Sequence, residues 1–301
     1  MAEPTPQVDA SQAMGLVVGD DAQQYNTFNI VTPAAPVVWP VWVGSAPPLA
    51  DCFQARAEGD RLADWTDDSG TVVLTQVLSG LGGVGKSQLA AQLVARRWHT
   101  RSVDLLVWVA ASNRSAIIAG FAQAAQQVGI AGPHEGELAA ARLLPWLAAT
   151  ERRWLVILDD VNDPADLHDW WPPASPAGTT VVTTRRRDAA FSGHGRRRIE
   201  VGLFTMAEAT AYLKAKLAAH PDLADDVAGV AADLGRLPLA LAQAAAYLLD
   251  EEIPCSRYRQ LFADHTRQLA ALVPEPTSLP DSHQHTVDVT CGCWEPTTPT
   301  P

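Results

Sequence analysis

Gly80, Gly85, Lys86 and Ser87 stand in the spacing Gly-x-x-x-x-Gly-Lys-Ser, inside the stretch LSGLGGVGKSQLAAQLV (78–94). Glycines let successive backbone N–H groups turn inward and approach phosphate oxygens without a side-chain clash. A helix starting near Lys86 adds the positive end of its dipole. Lys86 brings a point charge for the β- and γ-phosphates, and Ser87 a hydroxyl for Mg²⁺. Gly82, Gly83, Val84 and Gln88 complete this candidate nucleotide-binding set. The alternative is a glycine-rich turn that binds nothing. An apolar strand pattern before the loop and a helical one after it favour the phosphate cradle.

Two further stretches supply the partners such a cradle needs. LVILDDV (155–161) ends an apolar run in Asp159 and Asp160. In a parallel sheet, ligands collect at the carboxyl ends of the strands. Asp159 can hold Mg²⁺, directly or through water, and Asp160 can orient or deprotonate an attacking water. The plain alternative is a solvated strand end bearing two acids. VVTTRR (181–186) places Thr183, Thr184 and Arg185 at the end of another strand. An arginine there can reach a γ-phosphate. Arg186 and Arg187 read as a surface run.

These residues need a sheet to position them, and the pattern predicts one. TVVLTQVLS (71–79), VDLLVWVAA (103–111), RWLVILDDV (153–161), GTTVVTTRRR (178–187) and RRIEVGLF (197–204) are apolar or β-branched runs. Such runs mark buried parallel strands. Helical patterns fall between them at 86–98, 113–129 and 136–149. Strands alternating with helices predict a parallel α/β sheet of the P-loop NTPase kind, flanked by helices. After Phe204 the strand signals stop. Four helical stretches follow, the first opened by Thr205 with Glu208 in a capping-box spacing. They predict a small all-α subdomain. The expected organisation is an N-terminal arm and Pro-rich linker at 1–50, a nucleotide-binding domain at 51–204, a helical subdomain at 205–280, and a divergent, disordered tail at 281–301.

Composition bounds the class. The chain has 301 residues, 47% of them apolar, so a real core can form. A formal net charge of −12 argues against broad binding to nucleic acid or anionic membrane. No apolar run approaches the roughly 18 residues needed to span a bilayer. Four cysteines are too few for a disulfide framework in a chain of this length, which points to a reducing cytoplasm. Cys52 and Cys255 read as packing residues, and the tryptophans within the domain as core or interface residues.

Taken in order, GLGGVGKS, LVILDDV, VVTTRR and GRLPLAL resemble the NB-ARC module of STAND-class signalling ATPases. The likeness covers about Asp51 to Val273 and looks closest to actinobacterial members. The resemblance implies an ADP/ATP-binding switch with bound Mg²⁺, slow hydrolysis that resets it, and self-oligomerisation. It implies that Pro238 packs near the adenine with Leu239 as a wall, although an arginine follows the glycine of that motif here. It also implies that Arg56, in CFQARAE, takes the arginine position of an element that touches the base, with Ala55 where a glycine is usual. Rival classes are an ADP-binding adaptor that never turns over and a metabolic P-loop kinase or transferase. The LPLAL helical subdomain argues against the kinase.

The family continues into a winged-helix subdomain with a Met-His-Asp triplet, and no such triplet occurs here. The expectation is a truncated or frameshifted relative of a longer switch protein. MGLVVGDDAQQYNTFNI (14–30) resembles short amyloid signalling motifs of bacterial STAND proteins, a possible route to an effector protein. It reads equally as a β-prone flexible arm. His283, His285, Cys291 and Cys293 lack structural-zinc spacing and read as accidental.

Overall fold

Runs of Val, Leu, Ile and Thr with a residue period of two give strands that bury both faces. The computed structural model describes residues 36–67, 70–76, 82–132, 135–191 and 195–272. The 14–30 stretch, Gly80 and the 281–301 tail, with its His and Cys residues, lie outside the described residues. The fold belongs to a unit that begins at Val37.

Its first part holds β1 (Val41–Val43), α1 (Ala57–Asp67), β2 (Gly70–Gln76), α2 (Lys86–His99), β3 (Leu105–Ala110), α3 (Arg114–Gln127) and α4 (Gly136–Ala149). It continues through β4 (Trp154–Val161), β5 (Gly178–Thr184) and β6 (Arg197–Val201). The strands form one sheet in the order β1-β3-β4-β5-β2-β6, and every pairing is parallel. On one face Val107, Val109, Val156 and Leu158 meet Ile117 and Phe121 of α3 and Leu143 and Leu147 of α4. On the other, Leu74, Leu106, Trp108 and Ile157 meet Leu62 of α1 and Leu89 and Leu93 of α2. The parallel α/β sheet expected from the sequence is the sheet observed.

Helices follow: α5 (Met206–Lys216), α6 (Val227–Asp233), α7 (Pro238–Asp250) and α8 (Cys255–Leu272). They enclose a third apolar cluster that includes Leu213, Val230, Leu241, Leu248 and Cys255. The predicted cap is formed: Thr205 Oγ1 accepts from Glu208 N–H at 3.2 Å, and Glu208 Oε2 from Thr205 N–H at 2.7 Å. Among the described residues no helix is long and apolar enough to cross a membrane.

Two elements depart from expectation. Val41–Val43 lies in the Pro-rich stretch predicted as linker, yet it pairs with β3 and buries Val41 and Val43. Three residues are too short to show periodicity. Helix α1 was not predicted, because its sequence AEGDRLADWTD is acidic and polar around the buried Leu62.

One cross-strand pair fixes how closely β4 and β5 approach. Trp154 lies opposite Gly178, is 2% exposed, and donates its indole N–H to Leu147 O at 3.0 Å. A Cβ on Gly178 would fall 1.8 Å from Trp154 Cε2. Gly178→Ala is therefore expected to destabilise the fold by about 1–3 kcal/mol through overpacking. Urea unfolding checks this; a midpoint equal to that of the wild type would mean that Trp154 is not locked in place.

Candidate functional site

The carboxyl ends of β2, β4 and β5 bring the chemistry-bearing residues together, where parallel sheets place ligands. A cavity of about 500 Å³ opens there, within the usual range for small-molecule sites. The sheet side supplies Gly82 through Gln88, Asp159, Asp160, Thr183 and Arg185. The helical side supplies Tyr212, Pro238, Leu239 and Ala242, with Phe204 between the two parts and Phe53 and Arg56 ahead of α1.

The loop into α2 is glycine by necessity at two points. Gly83 and Gly85 have φ of 86° and 97°, in the left-handed region that side chains disfavour. Gly85 caps α2 without any side-chain hydrogen bond. The first N–H groups of a helix lack intrahelical partners, and an anion is their natural complement. Lys86 begins the helix and is 8% exposed. Burial above all, then repulsion from Arg185, pulls its ammonium pKa below the ordinary lysine value; Asp160 and Asp159 oppose this.

Asp159 is the hub of the polar layer. Its Oδ1 accepts from Ser87 Oγ at 2.7 Å and from Thr183 Oγ1 at 2.5 Å. Thr183 Oγ1 in turn accepts the backbone N–H of Asp160 at 2.8 Å. The β4–β5 register shifts between Leu158 and Val161, and Asp160 takes φ 57° there. This bulge turns two consecutive carboxylates into the cavity. Asp160 meets Arg185, with Nε 3.3 Å from Oδ1 and Nη2 3.5 Å from Oδ2. Ser87 and Asp159 form a hard-oxygen pair that suits Mg²⁺, an ion usually held by one or two carboxylates plus phosphate oxygens.

Arg56, which the resemblance sets at the base, lines the cavity and also bonds the backbone around it. Its Nη1 donates to Val84 O at 2.9 Å, and its Nη2 to Gly202 O and Leu203 O at 2.9 and 3.2 Å. The guanidinium also lies 5.2 Å from the Phe204 ring centroid. The side chain thus braces the phosphate loop against the junction with the helical part. Its buried Nε has no hydrogen-bond partner, the kind of unsatisfied donor that a ligand acceptor would complete. Gln88, which also lines the cavity, bonds Pro48 O and Ala50 N–H through its side chain.

Pro238 occupies the first turn of α7, where a missing N–H costs nothing. Leu239 N–H donates to Gly83 O at 3.2 Å. A Cβ on Gly83 would lie 2.5 Å from Leu239 Cβ, so the helical part rests directly on the phosphate loop.

The NB-ARC domain family matches residues 58–222. The chain belongs to the NB-ARC family. This places it among the STAND-class P-loop NTPases, as the four ordered motifs imply. A curated relative, a nucleotide-binding leucine-rich repeat (NLR)-like protein of Hyaloscypha variabilis, is 26% identical over 215 residues. The match covers 65% of this chain and 22% of the relative, so the chain spans about a fifth of that protein's length. Among solved structures, a STAND protein with a tetratricopeptide repeat sensor from Pyrococcus horikoshii is 18% identical with a TM-score of 0.47, over 69% of this chain and 31% of that one. A Walker-type ATPase of Pyrococcus abyssi is 11% identical with a TM-score of 0.47, over 81% and 86% of the two chains.

The NB-ARC motifs drew attention to Asp159, Asp160 and Arg185 but gave Thr183 no role. The cavity-lining aromatics Phe53, Phe204 and Tyr212 also went unassigned. A buried threonine at a strand's carboxyl end, two residues before Arg185, was the available signal for Thr183. Its hydroxyl both donates to Asp159 and satisfies Asp160 N–H. Thr183→Val, of equal shape, is expected to lower stability by about 1–3 kcal/mol, because it orphans a backbone donor beside a carboxylate. Thr183→Ser should recover most of the loss in thermal unfolding; no recovery would assign the effect to the methyl group.

Proposed function

We propose that this NB-ARC chain is a nucleotide-dependent molecular switch that binds ADP or ATP with Mg²⁺ between its sheet and helical parts. The observation that carries the reading is the cavity itself. One wall is the phosphate loop with Asp159, Asp160 and Arg185; the other is Pro238 and Leu239. A ligand held there would touch both parts, so its γ-phosphate state would bias their relative position. A bound nucleotide with its metal would supply a phosphoanhydride and a charge centre for slow hydrolysis.

The chain's residues take the following roles in this reading. The 82–85 loop backbone, Lys86 and Ser87 hold phosphate. Ser87 and Asp159 hold the metal, and Asp160 orients a water. Arg185, paired with Asp160 in this structure, swings to a γ-phosphate oxygen. Pro238 and Leu239 wall the base. The switch acts in the cytoplasm and controls self-oligomerisation in signalling or defence, without specific nucleic acid or membrane as partner. The N-terminal 14–30 stretch is the candidate contact to an effector protein.

The Arg185–Asp160 pair also favours a second reading, a non-hydrolysing ADP-binding adaptor, because it occupies the water-orienting carboxylate. Denaturing the purified protein and identifying the released nucleotide by chromatography tests binding. Wild type is expected to release ADP, and Lys86→Ala to be empty, its affinity lower by roughly 10- to 100-fold for the lost charged contact. Phosphate release from ATP then separates switch from adaptor. An empty wild type with no measurable affinity for either nucleotide would end both readings.

The lowered pKa of Lys86 adds a signed prediction. A bound polyphosphate restores the ammonium, so binding takes up a proton when pH lies between the lowered and restored values. Affinity therefore falls as pH rises through that window. Calorimetry in alkaline buffers of different ionisation enthalpy should report this uptake, and Lys86→Met should abolish it.

A further inference from the structure

The segment from Gly44 to Arg56 precedes the residues matched to the family, yet it forms a third wall of the cavity. Ala50 faces both solvent and cavity, and Phe53, Gln54 and Arg56 line it further in. The segment is fixed at both ends. Gly44, at φ 81°, lies so close to β3 that a Cβ would fall 1.9 Å from Trp108 O. Arg56 is bound to the phosphate loop and to the carbonyls of Gly202 and Leu203.

Between those ends, two latches hold it from opposite sides. Gln88, in the first turn of α2, accepts from Ala50 N–H at 2.7 Å and donates to Pro48 O at 3.1 Å. Lys216, in the last turn of α5, places Nζ 3.1 Å from Asp51 Oδ2. Successive residues then enter different cores: Cys52 packs on the helical cluster and Phe53 on the sheet cluster. Cys52 accomplishes this at φ 58°, a conformation that costs a non-glycine residue energy. The segment is thus a bridge across both parts, held under local strain.

We propose that residues 47–54 form a strap that gates nucleotide exchange, held shut by the Gln88 amide and the Asp51–Lys216 ion pair. The inference rests on reading the cavity as the nucleotide site. Both latches are exposed, and exposed pairs are individually weak. Opening the strap breaks three polar contacts and withdraws Cys52 and Phe53 from the two cores while the strand pairing stays intact, so it is a local opening and not a global one. One latch stands on the P-loop helix and the other on the helical part. Any displacement of α5 relative to the sheet therefore loads or releases the strap, which ties exchange rate to the position of the helices.

Asp51 and Lys216 do not line the cavity and can be altered without touching the ligand. Stopped-flow fluorescence with N-methylanthraniloyl-ADP on the full chain reads both rates. Asp51→Lys and Lys216→Asp are each expected to raise association and dissociation rates together, by about two- to fivefold. The double swap should return both toward wild type. Raising salt should speed the wild type by screening the ion pair and slow the single variants by screening their like-charge repulsion. Wild-type binding with variant rates unchanged would overturn the strap alone. Faster dissociation with unchanged association would also overturn it, since that describes a wall and not a gate. A wild type that binds no nucleotide would remove the parent reading and the strap with it.

Discussion

One buried guanidinium holds the candidate site in register. Arg56 is 5% exposed, and its two terminal nitrogens bond three backbone carbonyls: Val84 in the phosphate loop, and Gly202 and Leu203 beyond β6. A glycine-rich loop has little shape of its own, because its residues lose the most conformational freedom on ordering. Here the loop's last turn is tied to a charged group that also stacks on Phe204 and pairs with Glu58 at 3.3 Å. Burying a charge is unfavourable unless it is hydrogen-bonded, and carbonyl oxygens with a nearby carboxylate meet that need. The loop, the junction to the helices and the segment ahead of α1 therefore share one fixed point.

The sheet provides the second constraint. Parallel pairing of β4 with β5 runs in register from Trp154–Gly178 to Leu158–Val182, and then shifts by a bulge. Without the bulge, the alternation of strand side chains would send Asp159 and Asp160 to opposite faces. With it, Asp159 reaches Ser87 across from β2's helix while Asp160 reaches Arg185. Thr183 closes the arrangement by bonding both aspartates, one through its carboxylate and the other through its backbone.

What the sequence revealed follows from which forces are local. The described part of the phosphate loop, the paired aspartates, the capping box at Thr205 and the long strands each carry their physical reason within a few residues of sequence. Strand β1 and helix α1 were hidden, the first by brevity among prolines and the second by a polar sequence with little apolar periodicity. The actual partners of Arg56 and Gln88 were hidden for another reason. Arg56 and Gly202 are 146 positions apart, and Gln88 and Ala50 are 38 apart. Residue types alone cannot show that an arginine binds carbonyls so distant in sequence; the packing of α1 beside α2 and β6 brings them together.

The contact between α7 and the phosphate loop bears on how the proposed switch can work. Among the described residues it comprises one backbone hydrogen bond from Leu239 to Gly83 and the close approach of a half-exposed leucine. A hydrogen bond of this kind contributes about 1 kcal/mol net. Taking a two-state equilibrium from 1:99 to 99:1 needs about 5.5 kcal/mol of differential affinity. That contact is too weak to set the position of α7 by itself; Arg56, Leu203 and Leu237 add further contacts between the parts, and a ligand spanning both walls of the cavity would add more. That division of labour explains why Gly83 must lack a side chain. A Cβ there would strain a left-handed backbone and push α7 away, separating the two walls of the cavity that the proposed ligand would bridge.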